Sequence, residues 1–405
     1  MEVFLARQPI MNRRQQVFAY ELLFRAGLDN VYNCTDGNRA TATVINNSLF
    51  TIGLDEVTGG KLAFINFPRQ LLVDEIPTLL PPDQVAIEIL EDVQPDEEVV
   101  AACTKFKQAG YILALDDFVL RADYKPLIEL ADIIKVDFLA TPPAERAELI
   151  KRLDNNRIKF LAEKVETYAD FRQGMQLGYS YFQGYYFCRP TLISGRQLPG
   201  SYLTFFQALQ EISQPEPNFN RLEGIIKRDL AFSYSILKLV NSAAFGLRNQ
   251  VKSIKHAVVL LGLREMRKLI SLCLMRGVAK DKPEELLTCS IVRGRFGELI
   301  AECFGLVEWK SDLFFTGLFS MIDALLEKPM DEILNELPLS ERVRDALKGK
   351  AGDLRNILNL IICYEQGNWA EIKYHLALLS NLGIRENELP HLYRNSLVWA
   401  NNLLG

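Results

Sequence analysis

The chain's 405 residues allow two to three domains at about 150 residues each, and a makeup of 49% hydrophobic, 24% charged and 10% aromatic residues excludes wholesale disorder. Its 46 lysines and arginines against 51 acids leave a net charge of −5, which argues against broad binding to a phosphate backbone, so no DNA partner is expected. Scattered cysteines, of which Cys289 and Cys303 are the nearest pair, exclude a CxxC redox or zinc motif and fit a reducing cytoplasm.

In the opening residues, Glu2 and Arg7 leave no room for the apolar block of a signal peptide or an amphipathic anchor. The least polar long stretch, 313–326, falls short of a bilayer span and contains Asp323. The expectation is a cytoplasmic protein with no membrane partner.

A strand-like segment over 17–24 begins the first half. Six short apolar runs follow, at 62–67, 85–90, 112–118, 133–138, 159–166 and 181–188, separated by connectors of helical length. Near-continuous apolar strands alternating with helices are what a parallel sheet covered on both faces requires, and this many units predict an α/β fold, a TIM-like (β/α) barrel rather than a sandwich.

Each run carries polar residues at or near its C-terminal end: Glu21, Asn66, Glu88, Asp116 with Asp117, Lys135, Glu163 with Glu166, and Gln183. From Asn66 onward they are spaced 19 to 28 positions apart, about one strand, one helix and their loops. In a barrel that spacing gathers them on one rim, where barrel enzymes hold their chemistry. A single carboxylate at a strand end is ordinarily a solvated group. A polar group at the same end of every successive strand points instead to a shared site.

The oxygen donors suit Mg²⁺ or Mn²⁺, hard cations that prefer carboxylate and amide oxygens. Zinc fits poorly, because His256, His375 and His391 all lie in the second half and form no HExxH pair. Lys135 beside Asp116 and Glu163 could hold or deprotonate a water, and two clamped cations would stabilise the entering and leaving oxygens of an in-line displacement. The chemistry that follows is metal-assisted hydrolysis of a phosphodiester.

Residues 189–200, with Pro190, Gly195, Pro199 and Gly200, read as a linker, and the chain beyond is helical. Apolar residues recur at helical spacing in Ile225, Ile226, Ile236, Leu237, Leu239 and Val240, and again in Val258, Val259, Leu263, Met266 and Leu269. Pro215 and Pro217 mark a turn between the first two helices. His256, in an apolar helix, is expected to pack or to cap. No GxxxxGK phosphate loop is present.

Over roughly residues 1–190 the sequence resembles the EAL family of bacterial cyclic di-GMP phosphodiesterases. The E-A-L-x-R signature is matched by Glu21-Leu22-Leu23-Phe24-Arg25, and D-D-F by Asp116-Asp117-Phe118. K-x-D is similar to Lys135-Val136-Asp137, A-E-G-V-E-T to Ala162-Glu163-Lys164-Val165-Glu166-Thr167, and Q-G-Y to Gln183-Gly184-Tyr185. Ile65-Asn66-Phe67 and Ile87-Glu88-Ile89 match the family's Asn and Glu strands.

The resemblance implies metal ligands at Glu21, Asn66, Glu88, Asp116 and Asp117, and catalytic roles for Glu163, Lys135 and Asp116. Glu163 would help to activate water and Lys135 would orient it. Leu23, Arg25, Gln183 and Glu166 would bind the substrate. The sequence departs from the pattern in three places: Val119 to Asp123 replaces a G-x-G loop, Lys164 replaces a glycine, and the tract after Arg25 is compressed to Ala26 to Asn30.

The second half resembles the HDOD domain, a helical relative of HD-type phosphohydrolases, through Asn241-Ser242-Ala243-Ala244-Phe245-Gly246, in which Gly246 would form a left-handed cap. Where the catalytic relatives carry a His-Asp metal pair, Ser320 and Met321 stand, and those side chains build no metal site. This half therefore reads as a non-catalytic interaction or regulatory module.

Together the resemblances predict an EAL-type barrel over 1–192 followed by an all-helical HDOD domain over 193–405. The barrel would bind cyclic di-GMP and convert it to linear pGpG with Mg²⁺ or Mn²⁺; the helical module would meet an unidentified protein partner, and a homodimer would be compatible. A silent barrel, acting as a nucleotide sensor or scaffold, is the rival that the 119–123 loop and Lys164 favour. A glycoside hydrolase using Asp116 and Glu163 leaves Asn66, Lys135 and Gln183 without roles.

Overall fold

The computed structural model describes residues 4–25, 53–118, 122–153, 157–184, 201–247, 250–280 and 282–404. It divides into two compact units, one holding Met1–Phe187 with Tyr364–Ala370, the other Cys188–Cys363 with Glu371–Gly405. The proposed boundary at 192/193 lies outside the described residues.

In the first unit eight strands close a barrel in chain order: β1 (Phe4–Asn12), β2 (Val17–Arg25), β3 (Leu62–Phe67), β4 (Val85–Ile89), β5 (Ile112–Leu115), β6 (Ile133–Asp137), β7 (Lys159–Glu163) and β8 (Tyr181–Phe182). From β2 to β8 neighbours run parallel, while β1 lies antiparallel to both β2 and β8. Among the described residues six helices accompany the strands: α1 (Leu54–Thr58), α2 (Arg69–Val73), α3 (Glu97–Gln108), α4 (Lys125–Leu130), α5 (Pro143–Leu153) and α6 (Tyr168–Leu177). Two of them start on capping side chains. Asp96 caps α3 by accepting from the Val99 N–H, and Thr167 with Asp170 forms a reciprocal capping box on α6.

Strand β1 corrects the sequence reading, which begins the barrel at 17. Arg7-Gln8-Pro9 interrupts the apolar run, and the turn into β2 contains no glycine to announce it. Instead Asn12 Oδ1 accepts the N–H groups of Arg14 and Gln16 at 2.8 and 3.0 Å, and Gln15 takes a φ of 57°. Two strands also stop earlier than the runs 112–118 and 159–166 suggest. Asp117 and Lys164 have φ values of 37° and 52°, a left-handed backbone that no strand continues.

Among its described residues the second unit holds helices and no strand: α7 (Ser201–Ile212), α8 (Phe219–Lys227), α9 (Leu230–Val240), α10 (Ile254–Val278), α11 (Glu284–Cys303), α12 (Lys310–Leu318), α13 (Ile322–Leu326), α14 (Met330–Glu336), α15 (Glu341–Leu347), α16 (Asp353–Glu365, its last two residues in the first unit), α17 (Trp369–Leu378, its first two residues in the first unit) and α18 (Leu389–Leu404). Ile225, Ile226, Ile236, Leu239 and Val240 are buried, as their spacing requires. Gly246 forms the left-handed cap at φ 57°.

Two expectations fail here for one reason each. Val259 is 77% exposed and Leu263 39% exposed, because Gly262, at φ 77° and ψ 173°, breaks α10 so that residues before and after it share no single face. His256 is exposed in the first turn of α10, where Ser253 Oγ accepts its backbone N–H at 3.1 Å, so its ring neither packs nor caps. No described helix is long and apolar enough to cross a membrane.

Helices α11 and α12 cross through Gly294, Gly297 and Gly317. A Cβ on Gly317 would strike the backbone of Arg293 and Gly294, atoms that cannot rotate aside. Gly317→Ala is expected to destabilise the helical unit by about 1–3 kcal/mol, the ordinary cost of overpacking, read as a lower urea midpoint at constant slope.

Candidate active site

The barrel interior places the functional side chains by simple alternation. Ile10, Ala19, Phe64, Ala86, Ala114, Ile133 and Leu161 form a buried layer, with Tyr181 packed against it. Side chains on a strand repeat every second residue, so the next inward position along each parallel strand lies two residues on. Those positions are Glu21, Asn66, Glu88, Asp116, Lys135, Glu163 and Gln183. Because β1 runs the other way, its member lies two residues back from Ile10. That residue is Gln8, paired across the strands with Glu21.

Lys135, only 1% exposed, sits at the middle of the ring. Its Nζ lies 2.8 Å from Asp116 Oδ1, 2.8 Å from Glu163 Oε1 and 3.6 Å from Glu21 Oε2, and it also pairs closely with Glu88 Oε1. An ammonium has three protons, so four carboxylates exceed its capacity. Glu21, the farthest, is held by amides instead: Asn66 Nδ2 donates to Oε1 at 3.1 Å and Gln183 Nε2 to Oε2 at 2.7 Å.

Burial sets the protonation of this ring. Desolvation, helped by Glu21, raises the Glu88 carboxyl well above the usual range. Desolvation likewise pushes Glu163 up to about 8 against the opposing pull of Lys135, and raises Asp117, which also faces Asp116. Burial alone would lower Lys135, yet Glu21, Glu88, Glu163 and Asp116 hold it well above its ordinary value.

Lys164 stands on the rim and reaches inward. Its Nζ pairs closely with Asp137 and lies 3.8 Å from Asp117 Oδ2. Its ammonium thus stands beside these acids. A glycine would meet the left-handed φ more cheaply.

The donor set fits a divalent cation. Five buried oxygens, Asn66 Oδ1, Glu88 Oε2, Asp117 Oδ1, Glu163 Oε2 and Gln183 Oε1, have no hydrogen-bond donor among the described residues. Buried acceptors without donors are costly, and clusters of them mark places where something else supplies the positive charge. Asp116, Asp117 and Glu163 bring one oxygen each within 4.8 Å of the others, close enough to share an ion. All of these donors are oxygens, the preference of Mg²⁺ and Mn²⁺.

The structure thus gathers Glu21, Asn66, Glu88, Asp116, Asp117, Lys135, Glu163 and Gln183. It leaves Glu166 exposed before α6, with no hydrogen bond or ion pair among the described residues. Leu23 is half-buried on β2 beside Gly367, and the side chain of Arg25 lies outside the described set, as do residues 26–30 and 119–121. Gln8 is the member that sequence reasoning missed; recognising β1 and applying the alternation would have found it.

Comparison with known proteins matches the EAL domain over residues 63–190 and the HDOD domain over 198–334. A Bacillus subtilis (strain 168) protein, the uncharacterized protein YuxH, is 37% identical over 414 residues, covering 100% of this chain and 99% of that one. The cyclic di-GMP phosphodiesterase CdgJ of Vibrio cholerae is 34% identical over 375 residues, covering 92% of this chain and 87% of its own. Among solved structures, a calcium and cyclic di-GMP complex of Klebsiella pneumoniae BlrP1 aligns at 23% identity and a TM-score of 0.39, over 47% of this chain and 56% of that one.

Proposed function

Given that the chain belongs to the family of signalling proteins that join an EAL domain to an HDOD domain, we propose that its barrel binds cyclic di-GMP and hydrolyses one phosphodiester to give linear pGpG. The observation that carries this reading is the set of five donorless buried oxygens at the strand ends whose carboxylates gather on Lys135. Glu21, Asn66, Glu88, Asp116 and Asp117 would hold the cation, Mg²⁺ or Mn²⁺. Such an ion neutralises charge on a phosphoryl group and acidifies water.

The chain's own residues do the rest. Glu163 Oε2, free of donors, is the atom that accepts the proton of the attacking water, and burial, which raises this carboxyl, makes its ionised form a stronger base than an ordinary carboxylate. Lys135 Nζ fixes the opposite oxygen of that carboxyl and Asp116 Oδ1, each at 2.8 Å, so the base keeps one orientation. Gln183 and Asn66 hold Glu21 by both of its oxygens. On this reading Leu23, Arg25 and Glu166 contact the nucleotide from the rim. The helical unit acts as a non-catalytic module for a protein partner, and the protein works in the cytoplasm.

A second reading, binding without turnover, draws its support from Lys164. Its ammonium already lies over Asp117 and Asp137 and competes with a cation there. Incubating the full chain with cyclic di-GMP and Mn²⁺ separates the two. Linear dinucleotide in the product chromatogram is the expected result; retained but uncut nucleotide identifies a sensor, and neither binding nor product removes the nucleotide role.

A further inference from the structure

Gln8 joins the carboxylate ring to a part of the chain far away in sequence. Its Nε2 donates to the carbonyl of Gln366 at 3.0 Å, 358 positions on. Its Oε1 accepts from Gln183 Nε2 at 3.0 Å, and that same nitrogen donates to Glu21 Oε2 at 2.7 Å. An amide has one donating and one accepting end, so fixing Nε2 on a backbone carbonyl turns Oε1 toward Gln183. The orientation then propagates: the Gln183 amide nitrogen is drawn to Gln8 and Glu21, and its donorless oxygen is turned away from them.

The carbonyl that begins this sequence of bonds is held firmly. Residues Tyr364–Ala370 belong to the barrel unit although they connect α16 to α17. Tyr364 is fully buried, and the rings of Tyr364 and Trp369 lie 6.4 and 5.7 Å from Phe4 and 5.8 Å from each other. Gly367 closes the turn at φ 65°, donating its N–H to the Tyr364 carbonyl at 3.1 Å. A Cβ there would come within 2.9 Å of Leu23 Cδ1, so the turn fits β2 closely.

We propose that Gln8 is a positioning residue that, anchored on the Gln366 carbonyl, sets Gln183 and Glu21 for the divalent cation, and that the 364–370 turn is thereby a working part of the barrel site. The proposal rests on the metal-site reading above.

The test is Mn²⁺ binding by calorimetry to the full chain, to Gln8→Met, to Gly367→Ala and to the double variant, each also measured for thermal unfolding without metal. Methionine keeps the volume of Gln8 and removes both hydrogen bonds. Each single change is expected to weaken Mn²⁺ binding about 10-fold, the usual effect of losing a partner that orients a ligand. The double variant is expected to be no weaker than the weaker single, because both act through one connection. A merely structural role would lower the unfolding midpoint and leave Mn²⁺ affinity alone. Wild-type affinity in Gln8→Met, or a double loss equal to the product of the singles, overturns the proposal. A wild-type chain that takes up no Mn²⁺ overturns the metal reading first, and the proposal with it. Should Gly367→Ala fail to fold, the affinity of Gln8→Met decides the matter.

Discussion

Replacing Glu88 by glutamine is expected to cut cyclic di-GMP hydrolysis about 10³-fold, the scale of loss when one preorganised electrostatic group leaves an active site. Glu88 is completely buried, pairs with Lys135 through Oε1, and has a second oxygen with no donor. Glutamine keeps the shape, yet it substitutes an N–H donor for one oxygen and removes the charge. A donor aimed at an ammonium or a bound cation repels it. Folding should survive, because glutamine keeps the shape and burial disfavours the charged form of this carboxyl. Purified Glu88→Gln with an unchanged unfolding midpoint and wild-type turnover would show that the ring is not the site of the reaction.

The second large effect concerns Lys135. A Lys135→Met variant removes the ammonium that four carboxylates share, leaving them facing one another in a buried space. Breaking a buried ionic pairing by deleting one partner costs about 3–5 kcal/mol, and metal-free Lys135→Met should lose stability on that scale. The sign with pH follows. Carboxyls such as Glu88 and Glu163, whose folded values lie above the unfolded one, bind protons more readily when folded. Their contribution is fully present below the unfolded value of about 4.5 and is lost as pH rises through the folded value. The variant is therefore expected to regain stability on acidification, and to regain it at neutral pH when Mn²⁺ is added. Calorimetric scans at pH 5 and pH 8, with and without Mn²⁺, check both statements; a variant as stable as wild type at pH 8 without metal would refute them.

Most of the ring was legible because the parallel strands repeat one instruction. Apolar runs ending in Asn66, Glu88, Asp116, Lys135, Glu163 and Gln183 announce both the strand and its polar tip, and the alternation rule carries each tip inward. Gln8 escaped because nothing in Arg7-Gln8-Pro9 reads as strand, and because an antiparallel strand presents its polar member at the opposite end of the run. The direction of Lys164 was also hidden. Strand alternation says only that residues 163 and 164 face opposite ways, whereas the left-handed φ at Lys164 ends the strand and returns the side chain to the rim. Glu166 shows the converse. Its motif placed it with the others, but three residues beyond a strand end the alternation no longer constrains it, and it lies exposed.

The aromatic cluster of Phe4, Tyr364 and Trp369 bears on how the protein is made. A ribosome adding about 5–20 residues per second delivers the first strand long before the turn that covers it. Phe4 therefore spends about 20–70 s of synthesis without its final neighbours, and the barrel unit gains its 364–370 turn long after its eighth strand has emerged. Translation order thus delays completion of the barrel site until well after its own strands have been made.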